Sequence, residues 1–367
     1  MLTFFLTNGK TYGGAGMNTA LLLSGGVDSS VALARLCEAG ARPTAFYLKI
    51  WLEDELSFLG ECPWEEDLSY ARTVCEQLGV PLEIIPMQHA YHEQIVSYVI
   101  AEVKAGRTPN PDILCNQHIK FGAFYFAAGS DYDKVATGHY AQVRQLDGRY
   151  RLFCAPDPIK DQTYFLALLS QEQLSKACFP IGHLTKAEVR AEAERLNLPN
   201  KQRRDSQGIC FLGKLKFTDF IKHHLGERPG KFVEYETGTT VGHHTGYWFY
   251  TLGQRQGIGL SGGPWYVVAK DMTENTVFIS RQYYTPEKER NQCTIGRCNW
   301  ICGGAPVDKP VQVKLRHGPN RHDARLSVLA PGQLHVQLAD QDQGIAPGQF
   351  AVFYDGDECL GGGVIEG

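Results

Sequence analysis

Two glycines flanked by serines stand where a hydrophobic run gives way to a helical pattern: Ser24-Gly25-Gly26-Val27-Asp28-Ser29-Ser30. Glycines there can take positive φ and turn backbone N–H groups toward an anion. The helix that follows adds the positive end of its dipole, and the serine hydroxyls can donate. An ordinary tight turn with a serine cap is the plainer alternative, but strand before, helix after and Asp28 inside favour a phosphate cradle. It is not Walker A, which needs Gly-Lys-Ser/Thr, nor is it G-x-G-x-x-G. A second stretch, GRTPNPDILCNQHIKF (106–121), sets Asp112 three residues before Cys115, with His118 and Lys120 near in sequence. Such cations favour the thiolate, which is the reactive form. A third, KQRRDSQGICFLG, puts Cys210 beside glycines after Lys201, Arg203 and Arg204, the setting of a low-pKa nucleophile.

The elements that must position these groups follow from periodicity. Residues 18–23 read as a buried strand and SSVALARLCEAG as a helix ending at Gly40. PTAFYLKIW is a second strand, DLSYARTVCEQLG a helix closed by Gly79, and VPLEIIPM a third strand. Residues 90–105 are helical, and a fourth strand in DKVATGHYAQV stops at Gly138. Alternation of this kind predicts an α/β fold, a doubly wound parallel sheet with its ligand at the carboxyl ends of the strands. GHLTKAEVRAEAERLNLP is a further helix, with Thr185 and Glu188 spaced as a capping box. From about 214 the texture turns to Gly, His and aromatic residues, and from 292 to short alternating strands, a small antiparallel barrel or sandwich. The expected division is a tail over 1–16, a catalytic domain over 17–213, a central linking domain over 214–291 and a C-terminal β-barrel over 292–367.

Composition narrows the classes. With 367 residues, 43% of them hydrophobic, the chain can build two or three cored domains and is not largely disordered. No apolar run approaches a membrane span. The formal charge of −4 puts any phosphate binding in local patches. Eleven scattered cysteines without a C-x-x-C indicate a reducing compartment rather than a disulfide framework or a zinc ribbon. The first sixteen residues lack the features of a transit or signal peptide, which together with the cysteines makes the cytoplasm the expected location.

SGGVDSS resembles the signature of the PP-loop ATP pyrophosphatases (adenine nucleotide α-hydrolase-like), which cleave ATP between α- and β-phosphates to adenylate a substrate oxygen. The blocks RTPNPDILCNQHIKF, ATGHYAQV, KDQTYFL, DSQGICFLG, TLGQRQGIG, PWYVVAKD, PGQFAVFY and CLGGG occur in order over residues 19–366. Together they resemble bacterial tRNA-specific 2-thiouridylases of the MnmA type. The resemblance implies ATP-dependent conversion of uridine 34, the wobble base of tRNAs for Glu, Gln and Lys, into 2-thiouridine. It makes Cys115 the nucleophile, Cys210 the persulfide carrier, and Asp112 an acid/base group or base contact. For ATP it points to Leu22, Leu23, Ser24, Gly25, Gly26, Val27, Asp28 and Ser29, with Leu48 at the adenine, where the family often has Met, and Gly138 at a strand end. For tRNA it points to Asn110, Pro111, Asp112, His139, Lys160, Asp161, Gln162, Arg316, His317 and Gln349. The family often has Arg-Tyr where this chain has Arg316-His317. Mg²⁺ would accompany the ATP, a cysteine desulfurase or relay protein would supply sulfur, and no resident metal is implied.

Basic candidates for tRNA-phosphate contact are Lys201, Arg203 and Arg204, then Lys214, Lys216, Lys222, His223 and His224, and in the barrel Lys314, Arg316, His317, Arg321, His322 and Arg325. The rival readings are an amide-forming PP-loop synthetase, which needs no cysteine pair, an iron–sulfur sulfur-inserting enzyme, and an RNA-binding module with a degenerate loop.

Overall fold

The computed structural model describes residues 6–7, 10–11, 17–50, 64–205, 216–283, 290–307, 309–342 and 344–366. Cys210 and Lys214 lie outside the described residues.

Five parallel strands form the first sheet, in the spatial order Leu82–Pro86, Thr44–Lys49, Thr19–Leu22, Lys134–Ala136, Ala177–Cys178. The last, two residues long, gives no periodic signal in the sequence. Along Thr19–Leu22 and its neighbour, alternate residues go to opposite faces. Ala20, Leu22 and Phe46 enter one core, whereas Leu21, Leu23, Ala45 and Tyr47 enter the other. Both faces are therefore covered, as a doubly wound sheet requires. Chain order reverses on either side of Thr19–Leu22, so its carboxyl end is a topological switch point, and residues 24–29 occupy that end.

The expected helix over 90–105 is present as a π segment, His92–Val96, between two α segments, Gln88–Tyr91 and Ser97–Lys104. Cys115–Ala123 is also π-helical. The Thr185/Glu188 capping box closes as the spacing predicts. Leu6–Thr7 and Lys10–Thr11 pair as a short antiparallel ladder.

A second sheet runs Thr240–His244, Gly230–Glu234, Thr276–Ser280, Tyr266–Asp271, with its middle pair parallel. The third is an antiparallel barrel of six strands: Gln292–Trp300, Gln333–Leu338, His322–Ala330, Pro310–Lys314, Phe350–Asp355 and Glu358–Ile365. It closes because the first of these also pairs with the last. Full closure removes the edges that an open sandwich would leave.

The hairpin Ala141–Leu146/Arg149–Cys154, inside the stretch assigned to the first domain, is hydrogen-bonded to the last barrel strand at Phe153 and Leu152. One core then spans both: Leu152, Tyr164 and Leu166 pack with Phe350, Val352, Tyr354 and Cys359. Among the described residues no helix is long and apolar enough to cross a membrane.

Candidate functional site

At the switch point, Gly25 takes φ +72 and Gly26 caps helix Val27–Glu38 without any side-chain bond. The first-turn amides are thus left without a cap, the arrangement that receives an anion at a helix N-terminus. Ser29 braces the turn, its hydroxyl 3.2 Å from that of Ser24 and 3.1 Å from the Gly26 carbonyl oxygen. Gly138 comes against the same helix end, where a Cβ would lie within 2.6 Å of the Ser29 nitrogen. Leu22, Leu23 and Val27 are buried beneath the loop. Leu48 lies two residues past Phe46, the partner of Leu22, and is half-buried beside the same strand end.

Charge surrounds this loop. Asp28 accepts from the Tyr140 hydroxyl at 2.8 Å and from Lys186 at 2.6 Å. Lys186 also reaches Asp205 at 2.7 Å, and Asp205 takes Lys160 at 2.7 Å and Arg190 at 2.6 Å. Burial alone would raise the Asp205 carboxyl, but the Lys160 and Lys186 ammonium groups outweigh it and bring it down to about 2. Asn200, buried, donates to the Gly25 carbonyl and the Ser30 hydroxyl, both at 2.8 Å. Arg203 donates to the same carbonyl at 3.1 Å and pairs with Asp67. The sequence offered Arg203 as a tRNA-phosphate candidate, but in the fold it turns inward onto the loop. Lys186 and Asn200 lie outside the quoted blocks, and Tyr140 and Asp205 lie inside ATGHYAQV and DSQGICFLG without a role that the sequence assigns them. The only hint is that the Lys201–Arg204 run has carboxylates to satisfy somewhere.

Asn110 opens the thiol centre. Its side chain accepts from the Ile113 amide as the N-cap of Pro111–Leu114, and Pro111 takes the first helical position. That turn delivers Asp112 and Cys115. One Asp112 carboxylate oxygen is buried with no hydrogen-bond partner. Cys115 is 2% exposed and belongs to a buried apolar cluster with Tyr91, Ile119, Phe220 and Ile221. Burial pushes its thiol up, Lys120 pulling it down only in part, Asp112 adding to the rise and the nearby Tyr91 hydroxyl acting against it. The sequence expectation of a thiolate favoured by neighbouring cations therefore differs from the structure. Desolvation exceeds the Lys120 charge, and His118, exposed on the π-helix, does not contribute. His139 is buried as well, 2.6 Å from the Thr137 hydroxyl, and burial followed by the Lys120 charge holds it well below the usual histidine range.

The barrel reaches this centre. Gln349 donates to the carbonyls of Thr108 at 3.3 Å and Pro109 at 3.2 Å, and the Asn110 amide is 3.5 Å from Gln349 Oε1. His317 packs on Phe165 with ring centroids 4.5 Å apart. Burial and then Lys314 lower its pKa, and Asp161 and Asp112 act against them. Residues some 200 positions apart thus share one field. Arg316 sits beside them, paired with Asp342 at 2.7 Å.

Other residues singled out in the sequence have structural partners. Asp161 and Lys314, each 2% exposed, form an ion pair at 3.1 Å across the domain junction, and Thr163 donates to the same carboxylate. Gln162 accepts from the Tyr140 amide at 3.0 Å. Arg321 lies 2.9 Å from the Cys154 sulfur, His322 bridges Asp340 and Asp342, and Lys222 pairs with Glu227. His223 and His224 stack edgewise, while Arg204, Lys216 and Arg325 are exposed. Among the described residues no cluster of three or more His, Cys, Asp or Glu side chains is placed to hold a metal ion, and the described cysteines are all free.

Three protein-family models cover the chain in order. A tRNA methyl transferase HUP domain matches residues 17–214, its PRC-barrel domain 218–281, and an aminomethyltransferase beta-barrel domain 290–365. The tRNA-specific 2-thiouridylase MnmA of Parabacteroides distasonis is 46% identical over 359 residues, 95% of this chain and 99% of the relative. The chain belongs to the tRNA-specific 2-thiouridylase family. The corresponding proteins of Porphyromonas gingivalis (strain ATCC 33277) and Bacteroides thetaiotaomicron, the latter named MnmA 1, are each 45% identical, over 95% of this chain and 99% of theirs. In family terms, the loop, the Asn110–Cys115 turn and the barrel residues that meet it lie in the HUP and beta-barrel matches, and helix Phe217–Leu225 opens the segment between them.

Proposed function

We propose that this protein is an ATP-dependent tRNA sulfurtransferase that replaces the C2 oxygen of the wobble uridine, position 34, with sulfur in tRNAs for Glu, Gln and Lys, in the cytoplasm. The observation that carries the reading is the meeting of the Asn110–Cys115 turn with barrel residues Gln349 and His317 in a domain that also holds an uncapped anion cradle. An activated oxygen and a sulfur nucleophile must serve the same base, and these are the two centres such a reaction needs.

The C2 oxygen of uridine is a poor leaving group until it is adenylated. It attacks the α-phosphorus of ATP, and pyrophosphate departs with its charge received by the loop amides. Mg²⁺ entering with the triphosphate would neutralise further charge, and Asp28 is the carboxylate suited to it. The terminal sulfur of a Cys210 persulfide then attacks C2, and AMP leaves with the oxygen. Cys115 sulfur attacks the Cys210 sulfur, which forms a Cys115–Cys210 disulfide and frees the thiocarbonyl. A dithiol reductant restores both thiols, and a desulfurase or relay protein reloads the persulfide. Asp112, with its unsatisfied buried oxygen, is the group to hold or shuttle a proton at the base edge. For the splayed anticodon base, Asn110, Pro111, Gln349, His317 and Arg316 are the proposed contacts at the Asn110–Cys115 turn, and His139, Lys160, Asp161 and Gln162 are further proposed tRNA residues.

Methyl transfer, the wording of the family models, would require neither Cys115 nor an anion cradle. The deciding test supplies ATP, Mg²⁺, a cysteine desulfurase with cysteine as the persulfide source and unmodified tRNA-Glu, then measures digested nucleosides by mass spectrometry. We expect one uridine per tRNA with oxygen exchanged for sulfur, at position 34. A methylated nucleoside dependent on a methyl donor, or pyrophosphate released with no thiolated product, would overturn the assignment.

A further inference from the structure

Three cations, Lys160, Lys186 and Arg190, share the carboxylates beside the phosphate loop: they pair with Asp28 and Asp205, while Asp157 faces Lys160 and takes the amides of Lys160 and Lys186. Lys186 is the shared member: its ammonium lies 2.6 Å from Asp28 and 2.7 Å from Asp205, with the Tyr140 ring centroid at 5.9 Å. Its backbone is fixed independently of its charge. Residue 186 is the first of a helix closed by the Thr185/Glu188 box, and its amide donates to Asp157 at 3.1 Å. Only the side chain has alternatives, and Asp28, which it holds, is on the first turn of the uncapped helix.

We propose that Lys186 is the phosphate-reading cation of this site and that Asp205 is a positioning residue that holds it in reserve. This rests on the loop being the ATP site. The uncapped amides and the bridging Lys186 ammonium beside them fit a polyphosphate, whose outer phosphates can take the place of Asp28 on that cation. Lys186 can pass from Asp28 to the β- and γ-phosphates while Asp205 keeps Lys160 and Arg190 as counter-ions. Asp28 is thereby freed to face the metal that accompanies the nucleotide. Asp205 competes with the phosphates for the same ammonium, so it weakens nucleotide binding while it keeps the side chain aimed.

That competition gives the two residues opposite signs. Loss of a charge-assisted bond costs about 10- to 100-fold in affinity. Lys186→Met should weaken ATP by that amount and leave AMP, which lacks the outer phosphates, within about threefold, with Lys186→Arg restoring much of the ATP affinity. Asp205→Asn should tighten ATP several-fold while AMP stays unchanged. Calorimetric titration of the full chain with ATP and with AMP reads all of these, with a thermal melt confirming that each variant is folded. Equal losses for AMP and ATP in Lys186→Met, or weaker ATP binding in Asp205→Asn, would show a purely structural network and overturn the proposal. If wild-type protein binds neither nucleotide, the loop reading itself fails, an outcome separate from failure in the variants alone.

Discussion

The phosphate loop and the thiol pocket are set into one domain on opposite electrostatic plans. Around the loop, five charged side chains cross-link one another and a helix end is left open, so the region is charged, partly wet and already shaped for an anion. Cys115 lies in an apolar cluster with Tyr91, Ile119, Phe220 and Ile221, and burial pushes its thiol pKa up, which favours the neutral form. The difference suits the chemistry proposed for each. Electrostatic stabilisation works best from dipoles fixed in advance. A sulfur nucleophile exposed at rest as a thiolate is open to oxidation, so a protonated, dry thiol is the safer resting state.

The sharpest way to break this contrast is to disable one centre and watch the other. Cys115→Ser should abolish 2-thiouridine formation completely while ATP binding and tRNA-dependent pyrophosphate release persist. Thiolation at wild-type rate in that variant would remove Cys115 from the reaction. Next in size is the junction that carries the barrel residues to the thiol centre. Asp161→Asn leaves Lys314 charged and unpaired at 2% exposure, a loss of about 3–5 kcal/mol. The apolar double variant Asp161→Leu/Lys314→Met should recover most of that in a denaturant titration, whereas an additive double loss would show that the pair is not what matters. The smallest effect sharpens the picture of the resting thiol. Because its pKa is raised, alkylation of Cys115 by iodoacetamide, followed by peptide mass, should be slow at neutral pH and rise about tenfold per pH unit, still climbing near pH 9. A plateau below about pH 8 would mark a thiolate and erase the difference between the two regions.

Much of the loop side was legible in the sequence, because its signals are local. Gly25 and Gly26 between strand and helix, Gly40 and Gly79 behind their helices, and the Thr185/Glu188 spacing each specify backbone within a few residues. What escaped was set by partners far along the chain. Lys186 and Asp205 meet Asp28 across more than 150 residues, and no spacing rule reaches that far. Lys314 reads as a surface cation until Asp161 arrives opposite it. The barrel's closure and the pairing of Arg149–Cys154 with Glu358–Ile365 are likewise properties of register rather than of pattern. The state of Cys115 was misjudged for a related reason. Sequence shows which charges are near but not how much water is removed, and desolvation decided the outcome.

That pairing of Arg149–Cys154 with Glu358–Ile365 has a consequence for how the protein is made. Leu152 and Phe153 leave the ribosome some 200 residues before Cys359 and Glu358, the partners that complete their ladder. At about 5–20 residues per second, the nascent chain holds an unfinished sheet edge and an unfilled core for about 10–40 seconds. The hairpin therefore completes its ladder, and the shared core its filling, only once the final strand has been made, so a chain that stops short of that strand leaves both open.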